Sequence, residues 1–451
     1  MIFAVVLGLL TVGTVLFHFL SPWRFTELAS NWSTIDLTVD ITFWVTGIVF
    51  VVVNLFMAYC VWRYRHREGA TAHYEPENKK LEWWLTGVTA VGVAAMLAPG
   101  LFVWADFVTV PDDAVEVEIV GQQWNWKSRY PGEDGKLGTV EVRYVSDDNP
   151  FGMNPDDPNG QDDVLVDSPI VHFPVGEPVH VLLRSKDVLH NFTVPQFRVK
   201  MDLVPGLVSY LWVTPTQTGE FEILCEELCG IGHFAMRGKV VVQEQGDFDA
   251  WLATQPTYAS LQAREVGNPA AGQPLYAICA TCHGAQGEGN QALNAPKIAG
   301  QSAWYLRRQL RSFKEGIRGA HPDDVYGQQM APMTATLVDE RAIENVIAYI
   351  QTFPDTPAEA TVTADLDRGR SLYVSCSACH GVNGRGNAST NAPRAAGMSD
   401  WYLARQLKNF KQGIRGGHPH DLYGQQMSLM SVTLVDDQAI DDVVAYVTSL
   451  R

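Results

Sequence analysis

Positive charge is what this 451-residue sequence is short of: 33 Lys and Arg stand against 50 Asp and Glu, a formal net charge of -17. So acidic a chain excludes nucleic acid and favours a basic protein partner, with charge acting mainly on encounter. The shortage of charge is uneven. Met1–Trp23, Ile41–Trp62 and Trp83–Ala105 hold no Asp, Glu, Lys or Arg at all, and each is long enough to cross a bilayer, which takes roughly 20 apolar residues. Arg24 is the only Lys or Arg between residues 21 and 40, and none stands from 105 to 126, whereas Arg63, Arg65, Arg67, Lys79 and Lys80 crowd the loop between the second and third segments. Basic loops stay on the cytoplasmic side. The 63–80 loop is therefore predicted inside, and the stretch near Asn31 and everything after Ala105 outside. Met1–Trp23 also lacks a positive leading region and a small-residue cleavage site. It reads as an additional membrane helix, with a cleaved signal as the alternative. Cysteine is scarce as well: of seven, six fall in ligand-type or haem-type motifs, which argues against a disulfide framework, and Cys60 in the second apolar segment reads as a plain buried thiol.

The chain is too long for one core, and about three domains is the prior. After the apolar segments, short alternating runs such as AVEVEIV, TVEVRYV, VHVLLR, EFEILC and KVVVQ predict an all-β sandwich or barrel over about 114–245, within a domain spanning 106–250. The Pro-, Gly- and Asn-rich stretch 146–167 carries seven Asp residues and reads as a solvated loop, with a cation site or docking surface as alternatives. A small-residue linker, roughly 254–270, leads into a duplication. YAICATCHGAQGEGNQALNAPKIAG recurs as YVSCSACHGVNGRGNASTNAPRAAG; Cys376 follows Cys279 by 97 positions, and Met427 follows Met330 by the same 97. Two copies of one helical domain are predicted, at 268–354 and 364–451, joined by PDTPAEATVTADLD as a tether.

Both Cys279-Ala-Thr-Cys282-His283 and Cys376-Ser-Ala-Cys379-His380 fit C-x-x-C-H, the pattern of c-type haem attachment. Two thiols one helical turn apart can form thioethers to two vinyl groups, and the adjacent His reaches the iron. Met is the usual ligand on the opposite side where a raised potential is wanted. Each repeat offers a pair, Met330 with Met333 and Met427 with Met430. The local pattern resembles short monohaem bacterial cytochromes c, which implies the first of each pair, Met330 and Met427. His321 and His418 recur too, but a His-Pro in a Gly-rich loop reads as a surface turn.

A second constellation is Cys225-Glu-Glu-Leu-Cys229-Gly-Ile-Gly-His233-Phe-Ala-Met236, with His190 on an earlier strand edge. One Cys, a Met and two His are a blue-copper ligand set. The second Cys allows two thiolates to bridge two coppers. Structural zinc on Cys225, Cys229, His233 and His190 is the alternative that spacing leaves open, though it leaves Met236 unused.

On these residues the stretch 41–245 resembles cytochrome c oxidase subunit II: DVLHNFTVPQFRVKMDLVPG and CEELCGIGHFAMRGKVVV follow that family's signatures. The resemblance implies a transmembrane hairpin over 41–105 and a cupredoxin fold with a binuclear CuA centre. In that centre Cys225 and Cys229 bridge the coppers, His190 and His233 bind one each, Met236 is a thioether ligand and Glu227 ligates through its carbonyl. It further implies a magnesium ion facing the Glu227 carboxylate at the junction with subunit I. In GQQWNWKSRY it makes Trp124 the residue that receives electrons. In LEWWLT it makes Glu82 the mouth of a proton path, for which helix capping is the plain alternative. Two fused haem domains depart from most of the family and leave the donor and the order of the haems open.

No residue is poised as a catalytic acid, base or nucleophile. The sequence therefore reads as the redox-delivery subunit of a proton-translocating cytochrome c oxidase, multi-pass in a bacterial inner membrane with its copper and haem domains on the periplasmic face. Its partners would be subunits I and III, membrane lipid, and cytochrome c or a cytochrome bc complex as donor. A CuA-containing nitric oxide reductase subunit shares every motif. A freestanding membrane-anchored electron carrier is the alternative of another class. A quinol-oxidase subunit would lack the copper ligands.

Overall fold

The computed structural model describes residues 2–22, 26–71, 74, 76–146, 149–264 and 266–450. Met1, Trp23, Arg24, Asp147, Asp148 and Arg451, all used above, lie outside them. Three helices come first: α1 (Ile2–Leu20), α2 (Ser33–Arg63) and α3 (Lys79–Val108), each long and apolar enough to cross a membrane. The last two run past the predicted apolar spans at both ends, and the start of α2 and the end of α3 are tied to the next domain. Arg198 pairs with Asp36 on the first turns of α2 at 2.7 Å, and Trp32 wedges between Phe107 and Trp212 with its Nε1 donating to the Trp212 carbonyl at 3.1 Å.

Among the described residues, ten strands then form two sheets. They are β1 (Val115–Gln122), β2 (Asn125–Tyr130), β3 (Val164–Val166), β4 (Ile170–Pro174), β5 (Val179–Ser185), β6 (His190–Val194), β7 (Val199–Leu203), β8 (Ser209–Val213), β9 (Gly219–Leu224) and β10 (Arg237–Gln243). One sheet runs β3-β2-β1-β5-β8 and the other β4-β10-β9-β6-β7. Strands β5 and β10 alternate buried and half-buried side chains as their sequences predict. Strands β1 and β2 do not: both their faces are buried. The acidic stretch, expected as a solvated loop, folds across them. Arg129 is trapped between Glu118, at 2.9 Å, and Asp163, at 2.6 Å, while Arg184 takes the other Glu118 oxygen at 2.6 Å. Burial alone would raise the Glu118 pKa, but the two guanidiniums outweigh it and hold the carboxyl below its usual range.

Helices α4 (Gln245–Leu252) and α5 (Tyr258–Gln262) follow, and the 254–270 stretch is not a free linker. Tyr258 is buried in a cluster with Val120, Phe151, Met153 and Leu165, and its N–H donates to the Asp163 carbonyl at 2.8 Å. The two helical domains repeat element for element. In the first come α6 (Pro269–His283), α7 (Ala303–Lys314), α8 (Val325–Thr334) and α9 (Glu340–Ile350). In the second come α10 (Leu366–His380), α11 (Asp400–Lys411), α12 (Leu422–Ser431) and α13 (Asp437–Ser449). In each copy the first helix crosses the last at a glycine: a Cβ on Gly272 would sit 1.9 Å from the Asn345 carbonyl oxygen, and one on Gly369 2.0 Å from that of Asp442. The second linker is stitched down too, since the Asp400 carboxylate accepts from the N–H groups of Thr361 and Val362 at 2.6 and 2.8 Å.

The ion network under the acidic loop sets a testable stability. Arg129→Ala would leave the buried Asp163 without its cation, while Glu118 keeps Arg184, and is expected to cost about 3–5 kcal/mol, read as a lowered urea midpoint of the β-domain. A change within about 0.5 kcal/mol, as for an ordinary surface site, would show that the network contributes nothing.

Candidate functional site

The loop from β9 to β10 returns Cys225, Cys229, His233 and Met236 to one point, and β6, which meets β9 at Thr193 and Leu224, brings His190 beside them. The two thiol sulfurs lie 3.7 Å apart. Cys225 Sγ is 3.9 Å from His190 Nδ1, Cys229 Sγ is 3.6 Å from His233 Nδ1 and 3.8 Å from Met236 Sδ, and the Glu227 carbonyl is 3.3 Å from Cys225 Sγ. His190, Cys225, Cys229 and Met236 are buried. Among the described residues, His190, Cys225 and Cys229 are the one group of three His, Cys or acidic ligands close enough to hold a metal ion. The hydrogen bond from Cys229 holds Cys225 well down towards the thiolate, and that sharing pushes Cys229 up. Soft thiolates, a thioether and two imidazoles with no carboxylate among them suit copper. The symmetric arrangement, with one imidazole beside each sulfur, fits two ions across the thiol pair.

Two supporting features carried no reading in the sequence. Asp187 bonds His190 Nε2 at 2.7 Å while also accepting from the Gln123 N–H at 2.7 Å, which fixes the ring with Nδ1 aimed at the sulfurs. Gly232 is the second: a Cβ there would lie 2.5 Å from the indole of Trp124. The missing side chain lets Trp124 lie flat on the loop and donate from Nε1 to the Cys229 carbonyl at 3.2 Å. The repeated glycine in Cys229-Gly230-Ile231-Gly232-His233 was the available signal.

Trp124 is only 6% exposed: its indole packs on the metal loop, and the second helical domain reaches its backbone. Gln426 on α12 donates from Nε2 to the Trp124 carbonyl at 2.7 Å, Asn125 donates to the Ser389 carbonyl at 3.4 Å, and Cys379 packs on the β-domain core. Helix α12, which carries Met427 and Met430, thus rests on the turn His233–Ala235 of the metal loop.

Each C-x-x-C-H motif ends a helix. His283 Nδ1 lies 2.8 Å from the Pro296 carbonyl and His380 Nδ1 2.8 Å from that of Pro393, so both rings donate from Nδ1 and turn Nε2 away as a ligand atom. Burial pushes both histidines down and keeps them neutral. A cavity lined by Cys279, Cys282, His283, Met330 and Met333 opens in the first domain and extends to Met398, Tyr402 and Leu403 of the second. Its two methionines share a face of α8 because they stand three residues apart, and Met330 is the less exposed. Arg318 also lines this cavity, and its buried Nε has no hydrogen-bond partner; nor has that of its counterpart Arg415. An orphaned guanidinium N–H beside the attachment cysteines fits a group with acidic side arms such as haem.

The helical domains meet through swapped partners. Arg308 bonds Asn391 and covers the Tyr423 ring, while Arg405, its counterpart 97 residues on, bonds Asn294 and covers Tyr326. Such reciprocity is that of an isologous contact. Glu82 lies on the first turn of α3, where its Oε1 accepts from the Asn78 N–H at 3.4 Å while Asn78 Oδ1 accepts from Leu81, a capping arrangement. His321 and His418 lie on turns, their Nδ1 atoms facing backbone N–H groups two residues on.

Residues 115–244 match the family described as cytochrome c oxidase subunit II, periplasmic domain, and residues 269–354 and 366–451 each match that described as cytochrome c. The chain is 60% identical over 261 residues to the alternative cytochrome c oxidase subunit 2 of Bradyrhizobium diazoefficiens, which covers 58% of this chain and 94% of the relative. It is 31% identical to the cytochrome c oxidase subunit 2 of Cereibacter sphaeroides, over 46% of this chain and 74% of the relative. It is also 32% identical to cytochrome c4 of Azotobacter vinelandii, over 34% of this chain and 77% of the relative. The first domain type implies copper and the second haem c.

Because Asp187 fixes the His190 ring, Asp187→Ala is expected to weaken metal affinity about 10–100-fold without unfolding the sandwich. Competition titration against a copper chelator reads it, and an unchanged affinity would remove Asp187 from the site.

Proposed function

Since the chain belongs to the cytochrome c oxidase subunit II family, with two cytochrome c domains fused behind its copper domain, we propose that it is the electron-input subunit of a haem–copper respiratory oxidase. The observation that carries the proposal is the thiol pair 3.7 Å apart with an imidazole beside each sulfur. Cys225, Cys229, His190, His233, Met236 and the Glu227 carbonyl would together hold two coppers. Cys279, Cys282, His283 and Met330 would hold one haem; Cys376, Cys379, His380 and Met427 would hold the other. When bound, these groups supply one-electron carriers.

The chain's own part is to hold those carriers still and dry. Asp187 fixes one imidazole, and the Pro296 and Pro393 carbonyls fix two more. Burial of the thiols and thioether excludes water, and the rigid sandwich resists movement of the donor atoms. Beside the ligands the apolar Leu228, Ile231 and Phe234 are 83%, 47% and 49% exposed. Such a patch supports a partner chain there and weighs against a freestanding carrier. In the reading proposed here that partner is subunit I, where dioxygen would be reduced to water with proton translocation. Subunit III completes the complex, a magnesium ion faces Glu227, and Glu82 lies at a proton path. The copper and haem domains face the periplasm of a bacterial inner membrane, and a cytochrome c or cytochrome bc complex supplies the electrons.

Isolation in mild detergent should yield the chain with a haem–copper partner that consumes dioxygen, and metal analysis should give two coppers and two haems per chain. Zinc in place of copper would refute the metal assignment, and turnover with nitric oxide but not dioxygen would replace the oxidase by a nitric oxide reductase. Met330→Ala and Met427→Ala should each remove the long-wavelength methionine–iron band of one haem. If Met333→Ala or Met430→Ala does so instead, the axial assignment is wrong.

A further inference from the structure

The two cytochrome domains carry nearly the same seat, and the copper loop takes the second. The contacts that hold it there do not explain the choice. Gln426, which donates to the Trp124 carbonyl, recurs as Gln329 in the first copy, and Asn125 reaches the second domain through a backbone carbonyl, that of Ser389. Leu422 and Leu429 stand where the first copy has Val325 and Pro332, apolar for apolar. What changes at the seat is charge. A cleft of about 560 Å³ runs between β9 and β10 on one side and α12 on the other, with Glu220 and Lys239 on the copper-domain wall and Gly416, Gln425 and Ser428 facing them. His420 lies on the turn between Gly416 and α12. The Glu220 carboxyl is held below its usual range by its bond from Lys239 and, across the cleft, by His420.

At the position of His420 the first copy has Asp323, on a turn of the same form: the His420 N–H faces His418 Nδ1 at 3.2 Å, and the Asp323 N–H faces His321 Nδ1 at 3.1 Å. An imidazole is neutral or cationic, whereas an aspartate there would set a second carboxylate against Glu220. A further exchange has the same sign, since Glu288 of the first copy is Arg385 in the second. The copper domain makes such changes count. Over residues 106–250 it holds 25 Asp and Glu against 10 Lys and Arg. We propose that His420 selects which cytochrome domain the copper domain receives, by standing where the first copy would bring Asp323 against Glu220. The proposal concerns the chain's own interface and goes beyond its reading as an electron-input subunit. Selection of this kind works by repelling the wrong face, because the hydrogen-bonding parts are common to both.

The test is amide hydrogen exchange on the full chain in mild detergent, read at residues 123–126, the turn that Gln426 and the Ser389 carbonyl meet. His420→Asp should speed exchange there about threefold at low ionic strength, the size expected of a part-exposed charge pair. The effect should shrink at high salt, which screens the two carboxylates from each other. This variant should fold, because the first copy already carries an aspartate on the same turn. Adding Glu220→Gln to His420→Asp should return exchange to the native rate, and Asp323→His alone should leave it unchanged. Exchange indifferent to His420→Asp, a rise that Glu220→Gln does not relieve, or a rise that salt does not weaken would overturn the proposal. Copper and haem content and oxygen uptake report on the proposed function and do not enter these readings, so either can fail without the other.

Discussion

The fit of an indole onto a turn of backbone is the contact on which the arrangement depends. Trp124 can lie on the Cys225–Met236 loop only because Gly232 leaves room, and its Nε1 bond to the Cys229 carbonyl anchors the loop that sets the thiol spacing. Next to it in sequence, Gln123 donates to the Asp187 carboxylate that orients His190, and from Nε2 to the same Cys229 carbonyl at 2.7 Å. A dipeptide in the turn between β1 and β2 thereby positions the thiol loop from one side and an imidazole from the other. Its outer surface is where α12 sits. Disturbing this contact would move ligands and docking surface together, since both share the same few atoms.

The duplication gives the rest of the architecture its logic. Two copies of a domain meeting through swapped Arg, Asn and Tyr partners form a closed pair, and a closed pair has two equivalent outer faces. One is spent on the copper domain. Because the linkers are hydrogen-bonded down, the cytochrome pair is held as part of the body, which differs from a tether that works by raising effective concentration.

The haem attachment sites were legible because the chemistry is local: two cysteines and a histidine within five residues need no tertiary contact. The metal loop was legible for the same reason, and His190, 35 residues before Cys225, was read with it as the distant histidine that completes a copper ligand set. Asp187 gave no signal, since an aspartate in a polar turn reads as solvated. Strand β1 read as half-exposed because alternation cannot report a second layer, and here the acidic loop supplies one through Asp163. The seating of the second domain on Trp124 was hidden for a related reason. It rests on a glutamine side chain and backbone carbonyls, neither of which has a sequence pattern. The swapped partners were within reach, because Arg308, Asn294 and Tyr326 all recur at the constant offset.

At the centre of this account is the seating of the second cytochrome domain, through α12, on the copper loop. Pulsed electron paramagnetic resonance on the oxidised, fully loaded chain, measuring the separation of the copper signal from each haem, tests it most directly. The account expects the haem on Cys376 and Cys379 to be the nearer and that on Cys279 and Cys282 the farther. A haem of the first domain lying nearer the copper, or the two at equal separations, would contradict it.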